Sequence, residues 1–530
     1  MRRHESDVCI IGAGICAAQL AQKLAERRPG LAITVVEAGA RLLDERRLVE
    51  QRDRGLAYGE NIRPGDVIED QSAQGVISRT MAVGGLALHW GAIANRFSEE
   101  DLRLKSLYGL AVDWPLEWAD LERAYCEAER RMGVEGEPSP LEEDRRSESL
   151  AMPPMPLTWN LRELKAWAAE SGLPFWGVPQ AKNTVPFDGR GECLRCGTCD
   201  ICPTGASYTP DYTFEALAST NRIALHPHTL IRRLVLEDAT TRIVAARGNR
   251  QDRPGEEVEY RARLFVLAAG YCWSPHLLLL SACSRFPNGL ANSSGLVGRY
   301  MTGHRFVSGF IELDAELYPG MNDFHSLVSR VYLRCPADRP YVRHDLRIWE
   351  SAYGREPRLR DAAGAVLMGD ALLADWRARA KRGCARVRGY YDVHPDVTSA
   401  LTLETAARNR WGDPLPAIEH RIDAASAARE AATKDHILGV FSRMARARNG
   451  KVLMTSEGRY QDHPGGGCRM GADPKASVCD GFGRTHDHEN LYVVGYPTMP
   501  TGGCINGTLT AVALTLRSAD RIAADLGTPA

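Results

Sequence analysis

The stretch GAGICA, residues 12–17, decides the fold, because it stands between an apolar run and a helical pattern. Before it, Asp7–Ile11 predicts a buried strand, and after it Leu20 and Leu24 recur at helical spacing. Glycines at the first and third positions allow a tight turn and let the backbone approach a pyrophosphate at the N-terminus of the helix. The stretch predicts a strand–turn–helix unit that binds a dinucleotide.

A carboxylate follows the next strand. Ile33–Val36 is a β-branched run, and Glu37 after it can accept hydrogen bonds from ribose hydroxyls. The pattern does not separate FAD from NAD, and its alternative is a turn that serves packing only. The residues of this unit that we predict to contact the cofactor are Gly12, Gly14, Ile15, Ala17, Glu37 and Ala38.

A second glycine-rich stretch, AVGGLALHWG, covers residues 82–91. Adjacent glycines let the backbone come close to a flat or charged ligand. The alternative is a bend that holds a core tryptophan and a hydrogen-bonded histidine. The cofactor contacts that we predict from this stretch are Gly84, Gly85, His89, Trp90 and Gly91.

Two C-terminal stretches carry candidate catalytic side chains. His463 opens the glycine-rich loop HPGGGCRMG, and a histidine in such a loop can serve as the base that alcohol oxidation needs. Asn506 begins NGTLT at the start of the last predicted helix, where it can cap the helix or hydrogen-bond a substrate oxygen. Taken singly, a structural histidine and an N-cap asparagine are the simpler interpretations.

Four of the fourteen cysteines lie within ten residues of one another. The spacing of Cys193, Cys196 and Cys199 is the one with which a loop wraps an iron–sulfur cluster, and Cys202 is followed by proline, as is typical. The last gap has two residues, whereas bacterial ferredoxins have three. Zinc or a pair of disulfides is the alternative.

Length and charge narrow the class of protein. A chain of 530 residues predicts two interleaved domains. Its net charge of −1 gives no argument for nucleic acid or an anionic membrane as a partner. No run reaches the ~20 apolar residues of a membrane helix, and no apolar signal core follows Arg2 and Arg3. We expect a cytoplasmic chain in a reduced compartment, since the other ten cysteines are scattered.

Nucleotide-binding elements recur in the middle and near the end of the chain. Leu264–Ala268 and Leu491–Val494 predict two further buried strands. Between them, Ser399–Leu403 and Ala417–Arg421 alternate in the manner of antiparallel strands. Asp423 is expected to cap a long helix that follows.

These elements predict an α/β fold with two domains. A discontinuous, Rossmann-like cofactor domain is expected from residues 5–97, 190–300 and 460–527. An inserted α+β substrate domain with an antiparallel sheet is expected from residues 98–189 and 301–459. Residues 98–180 are rich in charge, proline and tryptophan, and we expect them to form irregular cover over a site.

In this order, the motifs resemble the glucose–methanol–choline (GMC) family of FAD oxidoreductases over nearly the whole chain. The resemblance implies FAD, with His463 and Asn506 facing the flavin. It also implies hydride transfer from an alcohol carbon to flavin N5 while the hydroxyl proton is removed. The family commonly has Asn-Pro where this chain has Asn506-Gly507, so the helix start is less constrained. The further cofactor contacts that we predict are Leu230, Ala269, Gly270, Gly495, Tyr496, Asn506, Gly507 and Thr508.

The GGLALHW segment resembles the pyranose oxidase and bacterial sugar dehydrogenase branch of that family. Some members carry a covalent bond between the flavin and the histidine matching His89, and some carry a cluster near the four-cysteine run. We expect oxidation of an alcohol on a sugar, glycoside, polyol or aminoglycoside-like substrate. Electrons are expected to pass to an external acceptor, either an acceptor protein or a small subunit. The alternatives are an oxygen-using oxidase, an NAD-dependent dehydrogenase and a non-catalytic flavoprotein electron carrier.

Overall fold

The structure, a computed structural model, describes residues 1–41, 81–88, 90–142, 146–197, 199, 202–237, 240–318, 325–335, 341–353, 358–459 and 463–527. Within these ranges one sheet has a parallel centre with helices packed on it, and a second sheet is antiparallel. The predicted α/β class is confirmed. No helix in the described ranges combines the length and the apolar character needed to span a bilayer.

The first sheet is built around β1 (Arg2–Ile11). This strand pairs in parallel with β2 (Ile33–Val36) on one side and with β7 (Glu257–Leu267) on the other. All four residues of β2 are buried, as expected for an apolar strand inside a parallel sheet. Four more strands extend the sheet: β4 (Ala224–His226), β5 (Thr229–Leu236), β6 (Ile243–Arg250) and β15 (Leu491–Val493). The order is β4-β2-β1-β7-β6-β5, with β15 paired to β7.

The carboxyl ends of β1 and β7 lie side by side, with Ile11 opposite Leu267. The turns that follow these two strands therefore meet at one edge of the sheet. Gly12 has a φ of +103°, and a Cβ there would lie 2.6 Å from the carbonyl oxygen of Ala268, so only glycine permits this approach. Open α/β sheets bind their ligands at this edge.

The helix that follows the N-terminal turn is α1 (Ile15–Arg27). The other α-helices of the described ranges are α2 (Leu104–Tyr108), α3 (Trp118–Met132), α4 (Trp159–Glu170), α5 (Pro210–Ser219), α6 (Gly270–Leu280), α7 (Gly369–Ala380), α8 (Ala424–Ala447) and α9 (Thr508–Asp525). Leu24 of α1 and Leu516 of α9 share one buried core with Val8 of β1. The first and last helices thus hold the nucleotide turn against the C-terminal segment.

The second sheet is antiparallel and packs on α8. Its order is β14-β8-β11-β10-β9-β3. The strands are β3 (Trp176–Gly177), β8 (His304–Leu313), β9 (Leu327–Ser329), β10 (Leu346–Ser351), β11 (Gly383–Asp392) and β14 (Lys451–Arg459). Ile437, Phe441 and Met444 of α8 are buried in its core. Asp423 caps α8 as predicted, because its Oδ1 accepts the backbone N–H of Ser426 at 2.6 Å.

Two more strand predictions are confirmed and one expectation is wrong. β12 (Ala400–Arg408) and β13 (Pro414–Glu419) form an antiparallel pair. Residues 98–180 are not simply irregular cover, since α2, α3 and α4 lie there. In α3 the buried positions Leu121, Tyr125, Ala128 and Met132 follow helical spacing. The charged residues between them obscured that apolar face.

The two sheets draw on different parts of the chain. The first takes its strands from residues 2–36, 224–267 and 491–493, and the second from 176–177, 304–392 and 451–459. Apart from residues 2–4 of β1, these strands fall within the segments expected for the cofactor domain and for the substrate domain, respectively. The domain boundaries themselves stay a prediction.

Candidate active site

One cavity of about 730 Å³ has both the N-terminal turn and the C-terminal loop in its wall. Motifs from opposite ends of the chain thereby meet in one place. The predicted catalytic residues that line it are His463 and Asn506. The predicted cofactor residues that line it are Gly12, Gly14, Ile15, Glu37, Ala38, Gly85, Trp90, Gly91, Leu230, Ala269, Gly270, Gly495, Tyr496 and Thr508.

Three other predicted cofactor contacts do not line the cavity but lie directly behind its wall, and their contact with the cofactor stays a prediction. Ala17 is fully buried within α1. Gly84 donates its backbone N–H to the carbonyl oxygen of Ala13 at 2.7 Å and so braces the N-terminal turn. Gly507 precedes α9 as its N-cap residue.

His89 lies outside the described residues, so its bond to the flavin stays a prediction. Trp90 beside it lines the cavity, and its indole N–H donates to the carbonyl oxygen of Tyr208 at 2.7 Å. A Cβ on Gly85 would lie 3.3 Å from the Cα of Gly14. The second glycine-rich stretch therefore packs directly on the first.

The N-terminus of α1 opens onto the cavity. Gly14 is its N-cap residue, no side chain caps the helix, and its first turn holds no acidic residue. No neighbouring heavy atom lies within 4 Å of a Cβ placed on Gly14. The partial positive charge of the helix terminus thus faces open space, as the binding of a pyrophosphate requires.

Glu37 joins the end of β2 to the N-terminal turn. Its carboxylate accepts the backbone N–H groups of Ala13 and Gly39, each at 2.8 Å. Burial raises the pKa of Glu37 to about 7, although these backbone donors act in the opposite direction. The carboxylate fixes the turn and lies in the cavity wall, where a ribose is expected.

The C-terminal loop brings the two predicted catalytic residues together. Nδ2 of Asn506 lies 3.1 Å from Nε2 of His463, and Nδ1 of His463 lies 2.9 Å from Nε2 of His304. Tyr496 stacks on the His463 ring, with 6.4 Å between ring centroids. Both ring nitrogens of His463 are therefore held, as a positioned base requires.

Asn506 does not cap α9, so the simpler N-cap interpretation is wrong. Gly507 occupies the N-cap position. The side chain of Asn506 is buried and turned toward His463 on one side and Arg347 on the other. Its Oδ1 accepts a hydrogen bond from Nη2 of Arg347.

Sequence reasoning missed the strand residues behind this pair. Arg347 is 1% exposed, and its Nε donates to Oδ2 of Asp345 at 2.9 Å. Burial lowers the pKa of His304 well below its usual range, and His463, Arg347 and Arg388 act in the same direction. A signal was present in the sequence, because Asp345 and Arg347 are opposite charges two residues apart at the start of β10.

Part of the cavity wall comes from the second sheet. Trp349 and Glu350 of β10 and Arg386 and Arg388 of β11 all line it. The guanidinium of Arg388 is held 4.0 Å above the ring of Phe306. An aromatic face with charged hydrogen-bonding groups around it suits a ligand that carries several hydroxyls.

In the part of the chain that the structure describes, the four-cysteine run is not arranged as a metal site. Among the described residues, which include all four cysteines, no three Cys, His, Asp or Glu side chains come together to hold a metal ion. Sγ of Cys199 lies 3.9 Å from Nζ of Lys182, whereas Sγ of Cys202 accepts the backbone N–H of Ser207 at 3.5 Å. The thiols of Cys199 and Cys202 thus have different partners, and the predicted cluster, like the zinc alternative, stays a prediction.

Comparison with known proteins gives the family. Residues 395–515 match the family model described as GMC oxidoreductase. The large subunit of fructose dehydrogenase from Gluconobacter japonicus is 31% identical, and the match covers 98% of this chain and 98% of that protein. The chain belongs to the GMC oxidoreductase family. The predicted resemblance is confirmed.

Other relatives extend the comparison. The 6'''-hydroxyparomomycin C oxidase of Streptomyces lividus is 31% identical over 98% of this chain and 92% of its own length. The solved structure of formate oxidase from Aspergillus oryzae RIB40 has a TM-score of 0.64 at 14% identity and covers 99% of both chains. That likeness is one of fold.

FAD is the cofactor that the GMC family implies, and the described residues fit it. The uncapped N-terminus of α1 and the open position above Gly14 suit the pyrophosphate. The buried carboxylate of Glu37 suits the ribose. The same cavity extends to His463 and Asn506, so the reactive ring would be held beside them.

Proposed function

We propose that this GMC oxidoreductase oxidises an alcohol group, CH–OH to C=O, on a sugar, glycoside, polyol or aminoglycoside-like substrate. The observation that carries the proposal is the hydrogen-bonded pair of His463 and Asn506 in the wall of the cavity that also contains the nucleotide turn. A base and an amide donor at this place can act on the hydroxyl of a substrate while its carbon faces the flavin.

Each side chain has a defined task in this proposal. When bound, FAD supplies a hydride acceptor. Nε2 of His463 accepts the proton of the substrate hydroxyl, and the amide N–H of Asn506 donates to the same oxygen. His304 holds Nδ1 of His463, at 2.9 Å, so that the ring keeps its orientation during the transfer.

The substrate class is supported by relatives and by the wall of the cavity. A fructose dehydrogenase subunit and an aminoglycoside oxidase each match 98% of this chain at 31% identity. Trp349 offers an aromatic face on which a sugar ring can pack, and Glu350 and Arg388 offer groups that bond hydroxyls.

We further propose an external electron acceptor rather than oxygen. Support comes from the fructose dehydrogenase large subunit, whose name implies assembly with another subunit. An oxygen-using oxidase is the second candidate, and the similarity to the 6'''-hydroxyparomomycin C oxidase favours it. The cluster predicted from the four-cysteine run stays a prediction, and no electron transfer step is assigned to it.

The proposal is tested by mixing FAD-loaded protein, without oxygen, with a panel of sugars, polyols and aminoglycosides. We expect at least one member to bleach the flavin absorbance and to yield a carbonyl product. Reoxidation by oxygen is compared with reoxidation by an artificial acceptor, and faster reoxidation by the acceptor is expected. If the protein carried NAD instead of flavin, or if no alcohol reduced the flavin, the proposal would fail.

A further inference from the structure

We propose that Arg347 is a positioning residue that fixes the side-chain amide of Asn506 and, through it, the tautomer of His463. The inference deepens the proposed function and rests on it, since the tautomer matters only if His463 is the base. Arg347 lies on β10 of the second sheet, and it would act on the chemistry of the C-terminal loop.

The argument begins with hydrogen-bond polarity. A guanidinium group only donates, so the Asn506 atom that faces Nη2 of Arg347 must be the amide oxygen. The amide nitrogen is then the atom 3.1 Å from Nε2 of His463. Because an amide NH₂ also only donates, Nε2 must carry a lone pair and no proton.

The other ring nitrogen completes the chain of donors. If Nε2 of neutral His463 bears no proton, Nδ1 bears it and donates to Nε2 of His304 at 2.9 Å. His304 can accept, because burial together with nearby positive charge keeps it neutral by lowering its pKa well below the usual range. The four side chains therefore form a one-way series of donors from Arg347 through Asn506 and His463 to His304.

Arg347 is itself held rigidly. It is 1% exposed, and its Nε donates to Oδ2 of Asp345 at 2.9 Å. The other carboxylate oxygen of Asp345 accepts the backbone N–H of Tyr390 at 2.8 Å, and the guanidinium lies 5.3 Å from the centre of that tyrosine ring. The donor that sets the orientation of Asn506 thus cannot turn away without breaking a buried ion pair.

Without this donor, the amide of Asn506 could rotate by half a turn. Its oxygen would then face Nε2 of His463 and favour the tautomer with a proton on that nitrogen. A ring protonated at Nε2 cannot accept the hydroxyl proton of the substrate. Arg347 therefore keeps a lone pair on Nε2 by excluding this second arrangement, and the substrate hydroxyl takes the place of the amide N–H at that lone pair.

The test is the tautomer of His463 in FAD-loaded protein labelled with ¹⁵N-histidine, read from long-range ¹H–¹⁵N spectra. The His463 signals are identified by their loss in His463→Ala. We expect wild type to carry the proton on Nδ1 and Arg347→Met to populate the Nε2-protonated form. Flavin reduction in Arg347→Met should fall about 10²-fold, the lower end of what a general base contributes. Arg347→Lys keeps a donor, so it should recover part of the Nδ1-protonated population of His463 and part of the flavin reduction rate.

If Arg347→Met does not fold, Asn506→Asp provides a second test of the His463 tautomer. A carboxylate accepts from Arg347 and from His463 alike, so His463 should switch fully to the Nε2-protonated form while FAD stays bound. Arg343→Met is the matched control, because Arg343 is fully buried and its ion-pair partners, Asp101 and Asp392, are not members of this series. It should leave the His463 tautomer unchanged.

Two results separate the inference from the proposed function. An Arg347→Met spectrum with the proton of His463 still wholly on Nδ1 would overturn the inference, as would an unchanged tautomer in Asn506→Asp. A switched tautomer in Asn506→Asp with undiminished flavin reduction would instead support the inference and remove His463 from the proposed chemistry.

Discussion

At the residue scale, two buried polar centres lie in the wall of one cavity. Glu37 holds the nucleotide turn through the backbone N–H groups of Ala13 and Gly39. His463 is held between Asn506 and His304. Burial shifts the pKa of Glu37, so this centre should respond to pH, whereas the His463 centre should respond to removal of a hydrogen-bond partner.

The first prediction concerns Glu37 and pH in the flavin-free protein. Its pKa is about 7 in the folded protein against an ordinary value of 4.5, so between these values the folded state binds more protons than the unfolded state. The free energy of unfolding should therefore fall as pH rises through this window. Thermal unfolding of wild type should show that loss between about pH 4.5 and 7, and Glu37→Gln should lack it. If the free energies of unfolding of the two proteins differed by a constant amount across this pH window, the assignment would be contradicted.

At the scale of elements, α1 and its uncapped N-terminus form the cradle for the nucleotide. We predict that Gly14→Val places a side chain in the open space above the turn and abolishes FAD binding while the fold is kept. Flavin content and FAD titration measure this. Gly439→Val in α8 is the control, because a Cβ there also meets open space but lies in the substrate domain expected from the sequence. Native FAD affinity in Gly14→Val would show that the pyrophosphate lies elsewhere.

Elements with strong apolar patterns were predictable from the sequence. The strand Ile33–Val36 has the bounds that its β-branched run gave, and the last helix begins within the NGTLT stretch as predicted, since buried runs and glycine turns fix these positions locally. Helices 118–132 and 159–170 were missed because charged faces masked their apolar spacing.

The predicted site was incomplete for a different physical reason. Glycine motifs, His463 and Asn506 could be found because loops carry recognisable local signals. His304 and Arg347 lie within strands of the second sheet, and only tertiary packing brings them to the C-terminal loop. No local sequence pattern indicates which strand will pack against which loop.

At the scale of the whole molecule, the site requires both sheets. The first supplies the turn that suits the nucleotide, and the second supplies His304, Arg347 and the wall around Trp349. Catalysis should therefore be lost when contacts between the two are disturbed, even where FAD binding survives. The route by which electrons pass from the reduced flavin to their acceptor is a separate question.

Metal analysis of anaerobically purified protein tests whether the four-cysteine run holds a cluster that could take electrons from the flavin. The cysteine spacing predicts roughly three to four irons per chain, lost in Cys199→Ser with FAD retained. The described geometry instead has Cys199 beside Lys182 and no metal site among the described residues. Protein holding neither iron nor zinc, with thiols that titrate on unfolding, would reject the cluster and favour direct reoxidation of the flavin.

The central claim, that His463 removes the hydroxyl proton while the substrate reduces the flavin, is tested most directly by single-turnover mixing. Wild type and His463→Ala, both loaded with FAD, are mixed without oxygen with an alcohol that bleaches the wild-type flavin. We predict that His463→Ala keeps its fold and its FAD but is reduced about 10²–10⁴-fold more slowly. Reduction of His463→Ala at the wild-type rate would contradict the account.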